Sequence, residues 1–195
     1  MGTPSASNPY ILTVPMSVPA LKNDRDLHYL ANGQPIFAKN KEVVKFLRSA
    51  EQYLLPQVHN NNYSVIIRPQ RVRLWIDIYF FAANPAKALP RRDGDNALTT
   101  LQETLQSPDK SSGICNLIED DCQVGTGIFN VVYVPKKLFE GATIYLWILT
   151  ETQDVFDDFV LLRDSRQLHK QEVLNGFPQK ETDSLVTELF EENCI

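Results

Sequence analysis

The sequence predicts an α+β domain, on three observations. Residues 71–81 alternate with a period of two, as a half-buried strand does. Two segments, 40–55 and 93–106, repeat apolar residues every three or four positions, as amphipathic helices do. Two further apolar runs, "GIFNVVYVP" and "ATIYLWIL", follow the second helix, so the order is strand, helix, strand, helix, strand, strand.

Tyr10–Val14 supplies the first strand, closed by Pro15 and Pro19, and a polar irregular stretch runs on to about Asn40. The first helix carries Val43, Leu47, Ala50 and Leu54 on one face, and Pro56 is expected to end it. In the central strand Val72, Leu74, Ile76, Ile78 and Phe80 form a strongly apolar face. Arg71, Arg73, Trp75, Asp77 and Tyr79 form the other, where the two aromatics suit either packing or a dimer contact. The second helix has Leu98, Leu101 and Leu105 as its stripe, and "SPDKSSG" stops it. The last two strands are separated by "KKLFEG", a hairpin-length loop containing Gly141.

The chain has 195 residues, enough for one domain with an appendage. Residues 1–8 read as a disordered leader, 9–150 as the domain and 151–195 as an acidic, helical C-terminal extension with two helices, around "QDVFDDFVLL" and "TDSLVTELFEE". No run of about 20 apolar residues exists to cross a membrane. The N-terminus lacks a basic region followed by an apolar stretch, and the cysteines number three, which together predict an intracellular, disulfide-free protein. The net charge of −5 is unevenly placed. Residues 1–150 hold 15 basic against 13 acidic residues, whereas 151–195 hold 4 against 11.

Two acidic segments stand out, "RRDGDN" (91–96) and "IEDDCQV" (118–124). The first opens a helix and the second precedes a strand, and carboxylates at element ends can converge at one sheet edge. Three or four carboxylate oxygens suit a hard Mg²⁺ ion that keeps its waters and binds phosphate oxygens. Each segment also has a structural reading: Asp93 or Asp95 as a helix N-cap, and the Glu-Asp-Asp run as a solvated loop.

At these residues the chain resembles the RusA family of Holliday-junction resolvases. The family pattern is a basic run leading into Asp-x-Asp-Asn at the head of a helix, then an apolar residue, an Asp pair, a small residue and Gln-Val. The likeness extends over roughly residues 9–150, including "VRLWIDIYF" before the first motif and "VVYVPKKLFEGATIYLWIL", expected as a hairpin, after the second. It implies a RusA-like mixed sheet with two packed helices. It also implies a homodimer that binds four-way DNA junctions and nicks them symmetrically with Mg²⁺. By motif position Asp93, Asp95 and Asp121 are the implied catalytic, metal-binding acids, with Asp120 beside them as a further metal ligand and Asn96 completing the first motif. The family has a lysine three residues after that Asn; here the position is Thr99, which supplies no positive charge to a transition state. The alternative is a RusA-like module that binds branched DNA or a protein without cutting.

Arg71, Arg73, Lys87, Arg91 and Arg92, with Arg68 nearby, are expected to track DNA phosphates. Apolar residues in the acidic extension suit docking on the domain or on a protein partner. Its charge is also expected to compete with DNA, in which case truncation before Asp154 tightens DNA binding in a titration of full-length against shortened chain.

Overall fold

The computed structural model describes residues 3–19, 25–82, 94–110, 113–134, 136–149 and 155–168. Along the chain come β1 (Tyr10–Val14), β2 (Arg25–Tyr29), β3 (Pro35–Lys39), α1 (Lys41–Asn60), β4 (Val72–Phe81), α2 (Gly94–Thr104), β5 (Val124–Val134), β6 (Gly141–Ile148) and α3 (Val155–Leu168). The fold is α+β, with a four-stranded mixed sheet in the order β1-β6-β4-β5 and a separate β2-β3 ladder.

β4 is the centre of the sheet. It pairs parallel with β5, from Val72 opposite Val124 to Phe81 opposite Val134. On its other edge it pairs antiparallel with β6, from Val72 opposite Ile148 to Tyr79 opposite Gly141. β5 and β6 therefore do not form the expected hairpin, because β4 lies between them. The link from β5 to β6 crosses the end of β4 instead. There the Ala82 amide donates to the Val134 carbonyl at 3.0 Å and the Phe81 amide to Glu140 Oε1 at 3.2 Å. Gly141 is needed at this crossing, since a Cβ there would stand 2.4 Å from the Val14 carbonyl oxygen.

The larger core forms on one face of the sheet. Leu74, Ile76, Ile78 and Phe80 of β4 and Ile144 and Leu146 of β6 meet Phe46, Ala50 and Leu54 of α1, Ala97 and Leu101 of α2, and Leu105 just beyond it. Each helix thus presents its predicted stripe, although Leu47 and Leu98 are only partly buried. α1 continues through Pro56 to Asn60. Proline removes a backbone donor from a helix, but beyond it Val58 is buried and Gln57 clamps β1. The Gln57 side chain donates to the Thr13 carbonyl at 2.7 Å and accepts from the Thr13 amide at 2.8 Å. The β2-β3 ladder falls in the stretch expected to be irregular; the Asn32-Gly33 pair, with Gly33 at φ 79°, makes its turn.

The opposite face of β4 is buried as well. Trp75, Tyr79, Tyr145, Trp147 and Phe139 pack there with Leu162 of α3. Arg73, expected to reach DNA phosphates, is 6% exposed and pairs with the buried carboxylate of Asp158 on α3. The Trp147 indole also donates to Asp158, at 3.2 Å. The correction has a simple cause: a strand covered on both faces turns its alternate residues into a second core, and only a paired charge is stable there. The first part of the acidic extension is therefore part of the domain, and truncation before Asp154 would strip this face. The second expected helix, around 182–192, lies outside the described residues. Residues 3–8, expected as a free leader, are also held: the Ile148 amide donates to the Pro4 carbonyl at 3.2 Å, and Ala6 is buried.

Removing one partner of the buried pair leaves the other uncompensated. Asp158→Ala is expected to lower the unfolding free energy by about 3–5 kcal/mol in urea titrations. Arg73→Met combined with Asp158→Leu recovers most of that loss.

Candidate functional site

The second acidic segment is fully described, and its geometry begins with Gln123. This buried side chain accepts from the amides of Glu119 at 2.7 Å and Asp120 at 3.2 Å. It donates to the carbonyls of Ile66 at 2.9 Å and Gln70 at 3.1 Å. The segment is thereby stapled to the chain that enters β4. Ile118 extends the parallel pairing there through a bridge to Ile66. A short 3-10 turn, Asp121–Gln123, follows, with Asp120 as its N-cap accepting from the Cys122 amide at 3.3 Å.

Asp120 is already engaged by cations. Arg68 reaches its carboxylate at 2.9 Å and Lys110 at 3.2 Å. A hydrogen bond with Asp121, the Cys122 amide and Lys110 hold the Asp120 carboxyl well below the usual range. Asp121 is exposed and moves the other way. Its hydrogen bond with Asp120 and its own partial desolvation raise it. Lys110 was not legible as a partner, because it sits in the polar stretch after α2 and no periodicity connects it to the acids. Arg68, expected to track phosphate, instead spends its guanidinium on Asp120.

The first acidic segment is described only in part. Lys87, Arg91, Arg92 and Asp93 lie outside the described residues, as does the side chain of Asp95, whose backbone forms the first turn of α2. Asn96 is partly buried and its carbonyl accepts from Thr100 Oγ1 at 3.1 Å; Thr99 is exposed. Arg71 is exposed.

The relation between the two segments follows from α2. Its C-terminal end bonds to the segment leading into the second motif: the Cys115 amide donates to the Thr104 carbonyl at 2.8 Å, and just beyond the helix the Leu117 amide donates to that of Leu105 at 2.8 Å. Asp95 begins the helix and Asp120–Asp121 follow the chain that meets its end. An 11-residue helix is about 16 Å long, so Asp95 and the Asp120–Asp121 pair stand at opposite ends of α2. Among the described residues, no three His, Cys, Asp or Glu side chains converge as a metal-binding group. Asp121 suits a hard cation, since its carboxylate is exposed and no described cation pairs with it. Asp120 suits one less, because Arg68 and Lys110 occupy it. Among the described residues no helix is long and apolar enough to cross a membrane.

No protein-family model matches the chain, and no curated protein matches it.

The opposed shifts are directly measurable. A carboxyl ¹³C titration is expected to place Asp121 above the ordinary aspartate value of 3.8 and Asp120 below it. Asp120→Asn is expected to bring Asp121 down, whereas coincident, ordinary midpoints would remove the coupling between the two carboxyls. The sign for stability follows from the Asp120 shift. Its contribution is present above the ordinary aspartate range and is lost as pH falls through its depressed value.

Proposed function

We propose that this chain is a RusA-like endonuclease that resolves four-way DNA junctions by Mg²⁺-dependent phosphodiester hydrolysis, acting in DNA recombination and repair. The observation that carries the reading is the pair of motifs, "RRDGDN" and "IEDDCQV", set at the two ends of the α2 crossover between parallel strands β4 and β5. Asp93, Asp95 and Asp121 would hold the ion, which supplies charge stabilisation and a water activated for attack on phosphorus. Asp120, pinned by Arg68 and Lys110, would position Asp121. Lys87, Arg91 and Arg92 beside the first motif, and exposed Arg71, supply phosphate contacts.

The separation along α2 makes the homodimer a requirement of this reading. One protomer offers Asp93 and Asp95 at one end of the helix and Asp121 at the other. A two-fold partner can set its own Asp121 beside the first motif of its neighbour, which forms two shared sites.

A second reading, a RusA-like module that binds branched DNA or a protein without cutting, is favoured by two observations. Thr99 stands where the family has a lysine, and Asp120 is taken up by protein cations.

Cleavage of a labelled synthetic four-way junction with Mg²⁺, beside linear duplex, tests the choice. Paired nicks confined to the junction and lost in Asp93→Asn support the resolvase; tight binding without nicks supports the second reading. Mixing Asp95→Asn with Asp121→Asn, each inactive alone, is expected to restore single nicks at roughly a quarter of wild-type rate, since half the dimers regain one shared site. No restoration in a mixture shown to exchange subunits would place each site within one protomer.

A further inference from the structure

We propose that the outer face of α1 is a second nucleic-acid contact, in which Lys41, Lys45 and Arg48 bind consecutive phosphates of one strand. The inference rests on the reading of this domain as DNA-binding, and it assigns a surface that neither acidic motif includes.

The three cations recur at i, i+4 and i+7, so they fall within about 60° of the helix surface. All three are exposed, and they line a concavity of about 440 Å³ with Val44 and Ser49. None of them is engaged by another described residue. The exposed acids nearest in sequence, Glu42 and Glu51, flank the stripe about 60° beyond its two edges. Solvated helix faces usually interleave the two signs, with i, i+4 pairs between them; this stripe is of one sign. It also runs against the helix dipole. Lys41 is the first helical residue and Lys45 lies one turn on, where the positive end of the dipole disfavours cations and favours a bound anion.

Length and placement select a phosphate backbone as the occupant. From Lys41 to Arg48 the helix rises about 10 Å, and three consecutive phosphates cover two steps, about 7 Å along a duplex axis, a difference that long, flexible Lys and Arg side chains take up. The direction of α1 is fixed by its bonds to β1: Gln57 bonds Thr13, and Tyr63, beyond the helix, accepts from the Ile11 amide at 3.0 Å. α1 thus runs antiparallel to β1, and its N-terminus lies beyond the C-terminal end of that strand. β1 runs parallel to β4, because both are antiparallel to β6. The end of α2 near Leu117 and Ile118 lies where the chain enters β4. The first turn of α2, with Asp95, therefore stands at the C-terminal end of β4. The α1 stripe and the first motif share one end of the sheet, and both helices cover the same face. A strand bound along α1 leads toward Asp95.

The test is salt-dependent binding of a labelled four-way junction by the full-length chain and by K41Q/K45Q/R48Q, with K136Q/K137Q as control. Circular dichroism and a thermal melt first establish that α1 stays folded in the variant. The triple variant is expected to bind at least about tenfold more weakly near 0.1 M salt, with a log–log salt slope shallower by about 2–3. The control is expected to change neither. Unchanged affinity and slope in a folded variant overturn the proposal, as does a wild-type chain that binds anionic phosphatidylserine vesicles through this stripe but no nucleic acid. Junction binding that depends on the stripe, in a protein that never nicks with Mg²⁺, sustains this proposal while the nuclease reading fails.

Discussion

Everything in the fold depends on β4 being paired on both edges and covered on both faces. Its even-numbered residues feed the core under α1 and α2; its odd-numbered residues feed the one under α3. Two covered faces leave no neutral place for Arg73, so α3 must bring Asp158 to it. Two paired edges force β5 and β6 apart, so the link between them must cross the strand end. The mixed sheet, the docked extension and the tight glycine at 141 are thus consequences of a single strand's position.

Much of this was legible from periodicity. The alternation in 71–81 and the stripes of Ala50 and Leu54, and of Leu101 and Leu105, are local signals, and they hold because burial selects them. Three features were not read. Arg73 was expected to reach DNA phosphates, because a polar residue in sequence carries no mark of a partner 85 positions away. The β5–β6 hairpin was the natural expectation for two strands with a short link, and only the sheet order shows β4 inserted. The β2–β3 ladder did have a signal, the Asn32-Gly33 turn, within an otherwise polar stretch.

The candidate site was legible as chemistry and less so as geometry. The acids could be picked out by spacing, but spacing does not say that α2 holds the two motifs at its two ends. Nor does it say that the Gln of "IEDDCQV" is a structural staple. Gln123 makes four bonds to backbone groups, so this position reports the crossover, whereas Asp121 two residues before it is exposed. A motif match therefore mixes residues kept for architecture with residues suited to an ion.

The pairing of β1 with β6, Tyr10 opposite Leu146, joins the two ends of the domain's sequence. β1 has no other strand partner among the described residues. During synthesis its edge therefore waits until nearly the whole domain has emerged from the ribosome. The closing step of folding is a long-range one, with a large loop-closure cost. Until then β1 has only α1 and the segment after it to pack on, through Gln57, Tyr63, Ser64 and the shared apolar cluster, so an early-arrested chain exposes an apolar strand open to pairing with its neighbours.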